Sequence, residues 1–150
     1  MRTFAIALLC SVVAVPAIAQ SPHSAAGVKW GPGPAFLPAG ARFAVLQGDP
    51  GQSGLYTIRL KLPNHYTVRS HFHPTDEQIT VLSGVFLLGM GDTLRASKAQ
   101  RLMTGGFMTV PANAHHFAVA RGPTILQIHG DGPFVITYVK AADDPRNAKP

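Results

Sequence analysis

The chain has 150 residues, the length of one domain, and its fifteen glycines and thirteen prolines make up about a fifth of it. That density of turn formers argues against a helical bundle, while 46% hydrophobic and only 13% charged residues exclude wholesale disorder. The formal charge is +6, but the thirteen Lys/Arg are scattered without a run of three, so the balance points to solubility rather than to a nucleic-acid partner.

Residues 1–19 read as a secretory signal. Arg2 precedes an apolar run over 4–15, Pro16 breaks it, and Ala17-Ile18-Ala19 supplies the small residues of a cleavage site before Gln20. The run is too short to span about 30 Å of hydrocarbon, so a periplasmic or secreted protein with no membrane association after cleavage is expected. Leu9 before Cys10 does not fit a lipoprotein. Cys10 is the only cysteine, so cleavage removes all thiol and disulfide chemistry, and any stabilising cross-link would have to be a metal. Residues 20–41 form a proline- and glycine-rich lead. Its Trp30, Phe36 and Leu37 are too apolar for a free tail. Either the lead folds onto its own domain, or a homodimer forms through sheet edges.

From residue 42 onward, short runs rich in β-branched and aromatic residues are cut by turn signals. In chain order they are RFAVLQ (42–47), LYTIRLKL (55–62), TVRSHFH (67–73), EQITVLS (77–83), VFLLGM (85–90), FMTV (107–110), HFAVA (116–120), TILQIH (124–129) and FVITYV (134–139). Only 93–100 could make a helical turn or two. So many strands, with no helix long enough for a βαβ crossover, predict an all-β antiparallel sandwich or barrel over 42–140. The polar tail, 141–150, is expected to fray.

The histidines carry the chemistry. His71 and His73 stand two apart on a predicted strand, and a strand has period two, so both imidazoles share a face. Glu77 follows the turn Pro74-Thr75-Asp76, which could return it to that face. His116 opens another strand after Pro111-Ala112-Asn113. Imidazole and carboxylate suit a first-row divalent metal, and three histidines with one glutamate leave one or two octahedral positions open. His115 faces away from its neighbour His116. His129 ends the run TILQIH and is the candidate catalytic residue, a proton shuttle facing the pocket, with a turn cap before Gly130 as the alternative. His65 is expected to face solvent and His23 to lie in the lead. Arg59 and Arg69 either neutralise an anionic substrate or snorkel on an outer face. Tyr56 and Tyr138 read as packing residues.

These residues resemble the cupins. The first cupin motif has the form G-(X)5-H-X-H-(X)3,4-E-(X)6-G, and His71, His73, Glu77 and Gly84 fit it, with His65 in place of the leading glycine. The second runs G-(X)5-P-X-G-(X)2-H-(X)3-N. Gly105, Pro111 and His116 fall at its intervals, Asn113 replaces the turn glycine, and Ala120 replaces the last Asn. Asn tolerates positive φ, so the turn can survive the change. The resemblance covers 42–139 and implies a double-stranded β-helix, two sheets curled into a small barrel. It also implies one divalent transition metal ion (Mn, Fe, Zn, Ni or Cu) on His71, His73, Glu77 and His116, with Ile79, Val81, Val85 and Phe117 keeping a substrate pocket dry. The function expected from it is a metal-dependent enzyme on a small oxygenated organic molecule, of dioxygenase, decarboxylase, isomerase or lyase type. A non-catalytic metal- or ligand-binding module is the alternative.

Overall fold

The structure is a computed structural model and describes residues 24–148. The signal-like segment and His23 lie outside the described residues.

Eleven strands follow one another along these residues: β1 (Gly31–Pro32), β2 (Arg42–Gln47), β3 (Gly54–Leu62), β4 (Thr67–Phe72), β5 (Glu77–Ser83), β6 (Val85–Met90), β7 (Gln100–Met103), β8 (Phe107–Val110), β9 (His116–Ala120), β10 (Thr124–Gly132) and β11 (Thr137–Tyr138). They form a six-stranded sheet in the order β1-β2-β3-β10-β5-β8 and a five-stranded sheet in the order β11-β4-β9-β6-β7. All pairings are antiparallel. The two sheets face each other across one core, which is the double-stranded β-helix expected from the sequence.

Alternation decides which side chains enter that core. Along β3, Tyr56, Ile58, Leu60 and Leu62 are buried, and along β10, Thr124, Leu126, Ile128 and Gly130 are. The intervening Thr57, Arg59, Gln127 and His129 stand on the outer face. The middle of the second sheet is buried on both faces: β9 is buried throughout, with Ala118 inward and Phe117 outward. Phe117 fits because its ring lies against Gly89, where any Cβ would collide with it.

Turns hold the corners. His65 and Asn113 both have φ of 61°, the left-handed conformation that the cupin motif fills with glycine at those two positions. Gly84, between β5 and β6, has φ of 88°, and a Cβ there would run into the backbone of Pro123 and Thr124.

Several segments depart from the sequence-based expectations. Gln100–Met103 is a strand on the sheet edge, where no strand is expected and Gln100 closes a possible helical turn. Within 134–139 only Thr137–Tyr138 joins a sheet, while 133–136 crosses between sheets. The tail is not frayed through residue 148. It forms two 3-10 turns, Ala141–Asp143 and Pro145–Asn147, where Arg146 pairs with Asp144 at 2.6 Å and donates to the Ile136 carbonyl at 3.2 Å. The lead folds onto its own barrel. Leu37 is in the core, Phe36 packs edge-on against Phe134, and the Tyr66 and Tyr138 hydroxyls donate to the carbonyls of Pro38 (2.5 Å) and Phe36 (2.8 Å).

Candidate metal centre

His71 on β4 and His116 on β9 are direct cross-strand partners in one sheet. Glu77 opens β5 in the facing sheet, so the chain between His73 and Glu77 must cross from sheet to sheet. Three hydrogen bonds hold that crossing: Asn113 N–H to the His73 carbonyl (2.8 Å), Thr75 hydroxyl to the Asp131 carbonyl (2.7 Å), and Ala112 N–H to the Asp76 carboxylate (2.8 Å). The two turns beside the candidate ligands, 74–76 and 111–114, are thereby stitched to each other.

The result is a cluster of His71, His73 and His116, whose ligand atoms all lie within 4.8 Å of one another. All three residues and Glu77 are buried. Each Nδ1 faces a backbone carbonyl: Arg69 for His71 (2.7 Å), Val135 for His73 (2.7 Å) and Ala114 for His116 (3.0 Å). A carbonyl only accepts, so each Nδ1 carries the proton and donates. Each Nε2 is then left with a lone pair, the tautomer a metal requires. Glu77 Oε2 stands 3.4 Å from His73 Nε2 and 3.5 Å from His116 Nε2. Both distances exceed a charge-assisted hydrogen bond of about 2.7–2.9 Å, and His73 Nε2 has no hydrogen-bond partner among the described residues. An orphaned buried nitrogen, two further imidazoles and a carboxylate converging on one point form a donor set that fits a first-row divalent cation.

Electrostatics agree. Burial, then the charges that would develop on His116 and His73, push His71 down to about 3, so it stays neutral. Burial also opposes charge on His73, but the Glu77 carboxylate outweighs it and the net shift is upward. Burial would raise Glu77, yet His73 and His116 hold its carboxyl well below the usual range, so it is ionised. Without a cation, one anion and one protonatable imidazole share the site.

The interior beside the cluster is apolar. His71, Glu77 and His116 share a cavity with Leu37, Ile79, Ile128 and Phe134, and the space left free is about 30 Å³, room for a water molecule or two. Of the residues expected to wall it, Ile79 lines it, Val81 is buried in the core, and Phe117 and Val85 turn to the other side of the sheet. His129 is not in the pocket. It is out of phase with Ile128 and Gly130, and on the outer face its ring nitrogens meet the Thr57 hydroxyl and the Gln127 amide, each at 3.1 Å. Arg59 is on that outer face too, bonded to Gln127 at 2.9 Å, and Arg69 is exposed, so neither reaches the cavity. His115 lies outside, stacked on Phe72 and paired with Asp92 at 2.6 Å. Tyr56, read as packing, proves to be an inward-facing neighbour of the site. Strand parity at 54–62 could have placed it there, but its link to Glu77 depends on register.

Two facing sheets of this topology with a histidine triad between them define a cupin. Among solved structures, the chain is similar to a candidate acetylacetone dioxygenase from Methylibium petroleiphilum PM1 (21% identity, TM-score 0.64, 89% of this chain and 90% of that one). It is also similar to the polyketide cyclase RemF from Streptomyces resistomycificus (18%, 0.63, 84% and 89%) and to an RmlC-like cupin from Shewanella frigidimarina NCIMB 400 (17%, 0.56, 75% and 92%). Residues 25–149 match the family described as Domain of unknown function (DUF4437), and the chain belongs to it. No curated protein matches it.

Proposed function

We propose that this chain binds one divalent transition metal ion through His71, His73, His116 and Glu77 and uses it to act on a small oxygenated organic molecule after export. The observation that carries the reading is the set of three buried imidazoles, each with its Nδ1 proton committed to a backbone carbonyl and its Nε2 turned to a common point. A purely structural cluster has no need to prepare three lone pairs. Burying them without a cation leaves His73 Nε2 unpaired, at a cost of about 1–3 kcal/mol.

The residues divide the work. His71, His116 and His73 sit on rigid strands or directly after one, which holds ligand geometry better than loops do. Glu77 supplies the negative charge that offsets the cation. A bound ion supplies Lewis acidity toward a carbonyl or enolate oxygen. The apolar neighbours Ile79, Ile128 and Phe134 exclude water and so strengthen every electrostatic contact within. The free space inside the cavity is about 30 Å³, so a substrate seated wholly within it would displace side chains. The structurally similar proteins are described as carrying different chemistries, and the fold alone does not choose among them.

Elemental analysis and calorimetric titration test the metal. One ion per chain is expected, lost in His73→Ala. Stoichiometric binding that survives the loss of both His73 and His116 refutes the assignment. A turnover screen of the loaded protein then separates an enzyme from a binding module. Export is tested by intact mass: the periplasmic or secreted protein should lack residues 1–19, and a mature species retaining Cys10 would refute it. The homodimer is tested by light scattering. Trp30 is half-buried, and Phe36 and Leu37 already pack on their own barrel, so pairing would need other surface.

A further inference from the structure

Tyr56, Gly130 and Glu77 lie in one row across β3, β10 and β5: Gly130 pairs with Tyr56 on one side and with Glu77 on the other. All three face the interior. Gly130 has no side chain, and the Tyr56 ring occupies the space one would take. A Cβ placed on Gly130 would lie 2.8 Å from the phenol Cζ and closer still to its oxygen. The hydroxyl therefore sits over the middle strand, at the position whose other cross-strand neighbour is Glu77.

The chain has three tyrosines, all buried. Tyr66 and Tyr138 each donate to a backbone carbonyl of the lead. The Tyr56 hydroxyl makes no hydrogen bond among the described residues. The Tyr56 oxygen is also not among the fully enclosed side-chain atoms that lack a partner, so it keeps an open side on which water or a ligand atom can pair with it. Phe134 joins this phenol to the ligand cluster, with its ring 5.7 Å from that of Tyr56 and stacked at 5.4 Å on that of His73.

We propose that the Tyr56 hydroxyl is a ligand-contacting residue of the metal centre, donating a hydrogen bond to an anionic or carbonyl acceptor atom held beside Glu77. Gly130 is its positioning residue, because it alone leaves room for the phenol to cross β10. The inference rests on the metal-centre reading above. A phenol is protonated at neutral pH, its ordinary pKa being about 10, so the group donates rather than acting as a base. The class of ligand implied is a small oxyanion, carboxylate or enolate.

The test loads the full chain with Co(II) and titrates it with azide, a small anion with an acceptor at each end, followed by the cobalt visible spectrum. Tyr56→Phe should leave cobalt affinity unchanged and weaken azide by about tenfold or more, the loss of one hydrogen bond to a charged acceptor. Gly130→Ala keeps the phenol but displaces it, and should weaken azide in the same direction. Should Gly130→Ala not fold, Tyr56→Phe decides alone. Wild-type azide affinity in Tyr56→Phe overturns the proposal, as does a cobalt-loaded wild type whose spectrum azide leaves unchanged. A wild type that takes up no cobalt overturns the metal-centre reading itself, and with it this inference.

Discussion

Acidifying the metal-free protein should destabilise it through His71, by an amount the structure fixes. Burial and the neighbouring His116 and His73 lower this imidazole to about 3 in the folded protein. In the unfolded chain it returns to about 6.5. Between those values the unfolded state binds a proton that the folded state refuses, so stability rises with pH and is lost as pH falls below about 6.5. Going from pH 6.5 to 4.5 the loss is about 2 kcal/mol. The other shifted groups act outside this window. His73 is raised, so its contribution is present below about 6.5 and disappears as pH rises through its folded value. Glu77 is depressed, so its contribution holds above about 4.3 and disappears as pH falls toward its folded value. The assay is urea unfolding of chelator-treated protein at several pH values, wild type beside His71→Gln. Gln does not titrate, so comparing slopes rather than absolute stabilities isolates the imidazole. The mutant should lack one proton's worth of slope, about 1.4 kcal/mol per pH unit. Parallel curves for the two proteins would refute the reasoning. With metal restored the wild-type dependence should steepen, because protons compete with the ion for all three imidazoles.

His129→Ala should leave metal stoichiometry at the wild-type value, since its ring bonds to Thr57 and Gln127 on the outer face; loss of metal on calorimetric titration would put it back in the site. Gly89→Ala should lower stability by about 1–3 kcal/mol, because the added methyl meets the Phe117 ring; an unchanged melting temperature would show that the ring moves freely. Tyr66→Phe removes the bond to the Pro38 carbonyl and should cost about 1 kcal/mol. It should also speed proteolysis within 33–40, and an unchanged cleavage rate would mean that Leu37, Phe36 and the Tyr138 bond to the Phe36 carbonyl hold the lead without it.

Strand positions were readable where short runs were closely bounded by turn residues. EQITVLS, VFLLGM, FMTV and HFAVA match β5, β6, β8 and β9 residue for residue: EQITVLS alternates with period two, while VFLLGM and HFAVA are short apolar runs, buried on both faces, cut by glycine and turn signals. Gln100–Met103 escaped because an edge strand needs little apolar content: its Gln100, Arg101 and Met103 are exposed. FVITYV reads as one strand, yet its first half spans the gap between sheets, where burial still alternates but the backbone serves other partners, Pro50 and His73. The gathering of His71, His73 and His116 beside Glu77 was readable because three of these four residues lie within seven positions, at spacings set by one strand and one turn. His129 was misplaced although the signal was present: in TILQIH the apolar Leu126 and Ile128 claim the inward parity, which sends His129 out. The Tyr56–Gly130–Glu77 row had no local signal, since it exists only once β3, β10 and β5 are in register.

The tautomer locks on the three histidines are not equivalent, and the difference ties the site to closure of the barrel. His71 and His116 donate to carbonyls two residues back, Arg69 and Ala114, so strand formation alone sets them. His73 donates to Val135, sixty-two residues on, in the segment that crosses between sheets. That segment also places Phe134 on the His73 ring and against Phe36 of the lead. The third ligand is therefore fixed only when the β10–β11 crossing and the lead are both seated. The same two segments contribute Phe134, Ile136 and Leu37 to the cavity wall, where only about 30 Å³ is free. A ligand that enters this cavity therefore meets Phe134, which lies on the His73 ring, beside the Val135 carbonyl that orients it. Ligand entry and the geometry of the histidine cluster are thus coupled through a few side chains at His73, whereas His71 and His116 are set by their pairing with each other across β4 and β9.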